Sequence, residues 1–271
     1  MNVLVFDIET VPDTASGKRI HGLDGLGDED IGKAMMHLRQ MEAGTDFLRH
    51  HLHKVVAISV VLRRDDALRV WSLGGVDSGE AELLERFFAG LDRYRPLLVS
   101  WNGGGFDLPV LHYRALVHGI QAPSYWDTGG DDSSFRFNNY LNRFHERHTD
   151  LMDVISGYQP RSSARLDEVA TMLGFPGKMG MDGAKVWDSY LAGDIGAIRD
   201  YCETDVLNTY LVYLRFELIR GRLSRANYEA ECSLVYDTLR CDGRSHLEQF
   251  ADEWATHANA LDSLASGTQN S

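Results

Sequence analysis

The chain has 271 residues, of which 44% are hydrophobic and 25% charged, a balance that excludes a mainly disordered or collagen-like protein. Its 27 Lys and Arg against 40 Asp and Glu leave a formal charge of −13, the opposite of proteins that coat nucleic acid by general electrostatics. No apolar run is long enough to span a membrane, and three cysteines without a CxxC pair argue against a disulfide framework and for a reducing, cytoplasmic setting.

The opening MNVLVFDIET lacks a basic segment and carries acids within its apolar stretch, so Asn2–Asp7 reads as a strand buried on both faces and not as a secretory signal. Residues 13–52 read as a loop-like insertion with one helix near 28–42. Lys54–Leu62 and Ala67–Leu73 read as strands joined by a turn around Arg64, Asp65 and Asp66. Glu80–Tyr94 has helical spacing, with Leu83, Leu84, Phe87, Phe88 and Leu91 on one side. Leu97–Trp101 is a short strand broken by Gly103, Gly104 and Gly105, and Leu108–His118 is helical. Leu166–Leu173 is a short helix, and Asp194 caps a long one that runs to about Arg220 and stops at Gly221. This order predicts an α/β fold, a mixed sheet with helices on both faces. Residues 1–222 are expected to form the main domain, and 223–271 a helical C-terminal extension with a frayed end. That extension holds three basic residues and eight acids.

Asp7 and Glu9 share one face of the first strand. Clustered there they would be costly to bury without a compensating cation, although a strand-end acid followed by a solvated one is the plainer reading. Asp107 follows Trp101-Asn102-Gly103-Gly104-Gly105-Phe106, where an acid in the first turn of a helix is the ordinary alternative. No Gly-Lys-Ser/Thr follows the glycines, so a nucleotide P-loop is unsupported, and the glycines are expected to allow close approach of backbone to a ligand or strand. Tyr201 and Asp205 lie one turn apart on the long helix, at the border of its apolar face. Taken together, four carboxylates from three elements suit two hard divalent cations, which could activate water and stabilise the leaving oxygen of a phosphodiester.

FDIET, WNGGGFD and YCETD, in this order, resemble the three motifs of the DEDD superfamily of 3′–5′ exonucleases in its tyrosine-containing branch. The second motif is similar to that of the proofreading domain of B-family DNA polymerases, and the chain as a whole resembles the stand-alone bacterial exonucleases related to that domain. The resemblance implies a ribonuclease H-like fold with a five-stranded mixed sheet. It implies Asp7, Glu9, Asp107 and Asp205 as ligands of two Mg²⁺ or Mn²⁺ ions and Tyr201 beside the attacking water. Thr10, Asn102 and Phe106 match positions near the terminal nucleotide, and the implied products are 5′-mononucleotides released from a single-stranded or frayed 3′ end, with DNA favoured over RNA. The insertion at 13–52 and the lack of a following polymerase domain depart from the polymerase pattern, and protein partners are left open.

Other residues carry weaker signals. His50, His51 and His53 precede a strand and are expected as polar edge residues rather than ligands of a hard metal, with phosphate contact as the alternative. Asp150 and Asp153 read as strand-end acids, Asp150 with a place beside the site. Lys178 and Lys185 flank a glycine-rich stretch that reads as either a phosphate-contacting loop or a linker. Residues 134–165 interleave Arg136, Arg143, Arg147, Arg161 and Arg165 with Phe135, Phe137, Tyr140, Phe144 and Tyr158. A single-strand groove built on Arg143 and Arg147 is one reading, and core aromatics beneath a solvated arginine face is the other. Two rival functions are a nuclease-like binding module without catalysis and a phosphatase with an aspartate nucleophile.

Overall fold

The N-terminal apolar run forms the central strand β1 (Asn2–Pro12), whose alternation sets both faces of the fold. Val3 and Val5 pack on one side and Leu4, Phe6 and Ile8 on the other, as a strand covered on both faces requires. A computed structural model describes residues 2–267, with side chains as far as His257. On one side of β1 lie β2 (His53–Arg64) and β3 (Ala67–Ser72), each antiparallel to its neighbour. On the other side lie β4 (Leu97–Ser100) and β5 (His148–Asp150), both parallel, which completes the order β3-β2-β1-β4-β5. This is the mixed five-stranded sheet of the ribonuclease H-like fold.

The helices in chain order are α1 (Thr14–His21), α2 (Asp28–Ala43), α3 (Glu80–Tyr94), α4 (Asp107–His118), α5 (Pro123–Trp126), α6 (Leu151–Ile155), α7 (Leu166–Met172), α8 (Val186–Leu191), α9 (Ile195–Ile219), α10 (Arg225–Asp242) and α11 (Ser245–Gly267). The apolar stripe of α3 covers the Leu4 and Phe6 face together with α4 and Tyr125 of α5. Val206, Leu207, Tyr210, Leu211 and Leu214 of α9 cover the Val3 and Val5 face. Asp194 caps α9 by accepting from the Ala197 amide at 3.1 Å, and Gly221 (φ +74°) follows its end, which matches the boundaries read from sequence. No helix among the described residues is long and apolar enough to cross a membrane.

Residues 13–52 are more ordered than the loop-like reading implied. They hold two helices, α1 and α2, that pack through Gly17 against Met35 and close a small cluster of Ile31, Met35, Leu48 and Leu52. Helix α1 escaped the sequence reading because TASGKRIH offers one large apolar residue, Ile20, and that residue is exposed, so no helical periodicity exists to detect. The Asp13 amide donates to Leu52 O at 2.8 Å, which brings the two ends of the excursion together. Its root is tied to the main body by Arg114, which bonds the Asp13 carboxylate and reaches Glu80 at 2.6 Å, all three side chains being buried.

The C-terminal helices share the main core, since Val235, Leu239, Leu247 and Phe250 belong to the same cluster as Val3 and Val5. Two ion pairs, Arg63 with Glu231 at 2.8 Å and Arg244 with Glu203 at 2.6 Å, join them to β2 and α9. The final part of the expected frayed end, residues 268–271, lies outside the described residues.

Candidate active site

Period-two alternation places Asp7 and Glu9 on the same face as Val3 and Val5, directed toward α9. There the Cys202 thiol approaches Asp7, 3.5 Å from its carbonyl oxygen and 3.6 Å from Oδ2. Three residues further along α9, Asp205 exerts its charge on both Asp7 and Glu9 and lies beside Tyr201, one turn before it on the same helix. Asp107 arrives from the other side. β4 pairs with β1 only along Val3–Val5, and further along β1 the Ile8 amide donates to Asp107 Oδ1 at 3.2 Å. The first and second acidic motifs are therefore joined by a hydrogen bond.

The loop before Asp107 is shaped from β5. Asp150 accepts from the Asn102 and Gly104 amides, each at 2.9 Å, and holds Asn102 in the left-handed region at φ +62°. Gly103 is required by packing, because a Cβ there would lie 2.6 Å from Ser100 Cβ. The glycine run thus lets the loop fold back onto its own strand rather than cradle a phosphate. Asp150, expected as a strand-end acid beside the site, is a half-buried acceptor that fixes the path of the second motif.

Burial is the main influence on the four carboxyls. Desolvation, reinforced by the neighbouring carboxylates, holds Asp7 and Glu9 well above the usual range. Desolvation also pushes Asp107 to about 7 and Asp205 to about 6. Tyr201 is driven up by burial and by the adjacent acids, so its phenol stays protonated. None of the four carboxylates has a cation at ion-pair distance among the described residues. Asp7, Glu9 and the Cys202 thiol also lie close enough to share an ion, but burial raises the thiol. A protonated thiol is a donor to Asp7 rather than a ligand. The donor set is thus carboxylate oxygen without an internal counter-charge, which fits hard divalent cations.

Two cavities flank the acids. The first, about 460 Å³, is lined by Tyr201, Asp205, Asn102, Lys178 and Arg165 among others. The second, about 650 Å³, is lined by Glu9, Thr10, Phe106, Phe47 and Trp187 among others. Arg165 and Gly183 belong to both and mark the boundary between them. A family model described as a predicted 3′–5′ exonuclease related to the exonuclease domain of PolB matches residues 45–254. The chain belongs to this family. No curated protein matches it. The match starts after Asp7 and Glu9, so these two acids are joined to the matched exonuclease region by the fold, through β1 and the Ile8 to Asp107 bond. Membership of this DEDD-type exonuclease family carries metal dependence and a nucleic-acid substrate with it.

The residues expected at the substrate divide in two. Thr10, Asn102, Phe106 and Lys178 line the two cavities, Lys178 paired with Asp182 at 3.0 Å. Thr10 Oγ1 lies 2.9 Å from His53 Nδ1, while His53 Nε2 lies 3.1 Å from Leu48 O. Burial lowers His53 to about 4, so it is a neutral prop for Thr10. Arg143 and Arg147 lie outside both cavity linings. Arg147 is spent on structure, with its guanidinium 3.9 Å from the Phe135 centroid and its Nε donating to Asn138 O at 2.6 Å. Arg143 pairs with Asp153 at 2.7 Å and lies over Tyr158. Phe135 and Tyr140 are buried core, so the groove reading of this segment fails for them because their faces are already covered. Arg165, at the end of the same arginine-rich run, reaches the cleft. Nothing in the run's spacing sets it apart, because its position depends on how α7 packs against α9.

Proposed function

We propose that this exonuclease removes 5′-mononucleotides from the 3′ end of a single-stranded or frayed nucleic acid, with DNA favoured, by two-metal hydrolysis. The observation that carries the reading is the convergence of Asp7, Glu9, Asp107 and Asp205, in which Asp107 and Asp205 raise Asp7 and Glu9 and no cation pairs with any of the four among the described residues. These residues would hold two Mg²⁺ or Mn²⁺ ions. When bound, such ions supply the counter-charge, Lewis-acid activation of water and stabilisation of the developing 3′ oxyanion. Tyr201 stands one helical turn from Asp205, and its protonated phenol orients the attacking water as a hydrogen-bond partner, not as a base. Attack forms a bond from water oxygen to phosphorus and breaks the bond from phosphorus to the 3′ oxygen. Arg165 and Lys178 face the phosphates of the strand at the entrance to the Tyr201 cavity.

The test is incubation of 5′-labelled single-stranded DNA, duplex DNA and RNA with Mg²⁺, with Mn²⁺ and with EDTA. Stepwise shortening from the 3′ end is expected only with metal, and fastest on single-stranded DNA. Asp205→Asn should lower the rate by at least about 100-fold, the scale of losing a group that stabilises transition-state charge. Metal-independent cleavage, or full activity in Asp205→Asn, would overturn the site. Binding without any cleavage would instead favour a nuclease-like module.

A further inference from the structure

The larger cavity has an unusual wall. Phe47, carried by the 13–52 excursion, is 56% exposed, yet its backbone is pinned at two points. Its amide donates to Thr45 Oγ1 at 3.2 Å and its carbonyl accepts from Arg39 Nε at 3.1 Å. One part of the ring packs on Phe106, with centroids 5.3 Å apart, and on His53, also at 5.3 Å. Phe106 and His53 in turn meet edge to face at 5.1 Å. The result is a braced aromatic cluster with Phe47 outermost and the rest of its surface free in a cavity that also contains Glu9 and Thr10.

The charges in this cavity indicate what belongs there. Its acids are Glu9 and Asp46, and its cation, Arg165, sits on the boundary with the Tyr201 cavity. A run of phosphates would meet repulsion at this end and no arginine or lysine beyond the boundary. A terminal nucleoside carries no phosphate past its 3′ hydroxyl, and its base offers a flat face. Aromatic side chains bind such faces by stacking, and a rigid platform loses little entropy in doing so.

We propose that Phe47 is a positioning residue that stacks on the base of the 3′-terminal nucleotide and holds the strand end beside the acid cluster. This rests on the exonuclease reading above and adds a residue from outside the three acidic motifs. The platform selects for a base at the terminus, with little preference among the bases, because each of them has a π face.

The experiment compares Phe47→Ala and Phe47→Tyr in the full chain with Mg²⁺ on two 5′-labelled single strands, one ending in an ordinary nucleotide and one in an abasic nucleotide. Phe47→Ala should lower kcat/KM for the ordinary end by about 5- to 30-fold, mainly through KM, and Phe47→Tyr should restore it. For the first cleavage at the abasic end, Phe47→Ala and the unsubstituted protein should be equal. In the Asp205→Asn protein, a 3′-terminal 2-aminopurine should be quenched on binding, and adding Phe47→Ala should relieve the quenching. Equal losses on both ends, an unchanged ordinary end, or quenching indifferent to Phe47 would overturn the proposal while leaving the exonuclease reading intact. Absence of metal-dependent shortening by the unsubstituted protein would overturn both.

Discussion

Asp7, Glu9, Asp107 and Asp205 hang from β1, α4 and α9, elements that build the two large apolar clusters, whereas Phe47 hangs from an excursion held by Ile31, Met35, Leu48 and Leu52. The acids repel one another and resist ionisation, and only a large surrounding core can impose that arrangement in the absence of cations. The excursion carries little electrostatic strain and can be supported by a cluster of four side chains. Chemistry that opposes folding is therefore placed where packing is strongest, and contact with the strand end is left to a more lightly built region.

The largest expected effect would break the first half of this contrast. In EDTA the folded protein keeps Asp107 and Asp205 protonated up to about 7 and about 6, whereas an unfolded aspartate titrates near 3.8. Between those limits these two acids hold extra protons in the folded state, so their contribution to the unfolding free energy falls as the pH rises from about 4 to about 7, while His53, His112 and His148, lowered to about 4 by burial, contribute in the opposite sense over the same window. The Asp205 share is read by difference in thermal melts: in EDTA the unsubstituted protein should lose stability relative to Asp205→Asn as the pH rises from about 4 to about 6, and Mg²⁺ or Mn²⁺ should narrow that gap. A gap that does not change with pH in EDTA would mean that the acids are not strained.

Next in size is Ile31→Ala, which removes a side chain only 2% exposed from the small cluster. A cavity there should cost about 2–5 kcal/mol, paid by the excursion and not by the sheet. Amide exchange and limited proteolysis should accelerate within 28–52, with β1 and α9 still protected. If the whole molecule melted earlier by the full amount, the excursion would be an integral part of the core. The smallest effect concerns phosphate contact. Arg165→Ala should raise KM roughly tenfold, as expected for losing one hydrogen bond to a charged group, and lower the salt slope by about 0.7. Arg143→Ala, outside the cavities, should leave the slope unchanged.

The same contrast governs what could be read from residues alone. Alternation along Val3–Glu9 fixes which side chains meet α9, and Tyr201 and Asp205 stand at i and i+4 of one helix, so the acid cluster follows from local periodicities plus motif order. The sheet follows from strand length and the helical stripe of α3. Phe47, Asp150 and Arg165 have no such local signature. Each acquires its place from partners far away in the chain: His53 and Phe106 for Phe47, the amides of Asn102 and Gly104 for Asp150, and the packing of α7 for Arg165. The arginines at 143 and 147 show the converse, since composition suggested a binding surface and the fold engaged both in ion pairing and stacking with its own chain.

The 2.8 Å bond between the Asp13 amide and Leu52 O has an architectural consequence. Just inside it, Pro12 and His53 are already cross-strand partners, so β1 and β2 form a hairpin whose turn has been replaced by a folded insert. Such a junction can change length with little penalty, because closure entropy grows only with the logarithm of loop size and each doubling costs about 0.6 kcal/mol. The sheet keeps its register whether a tight turn or two helices are threaded there. Strand-end recognition can therefore be exchanged or elaborated at this one position without moving a carboxylate, as a tool head is changed on a fixed mount.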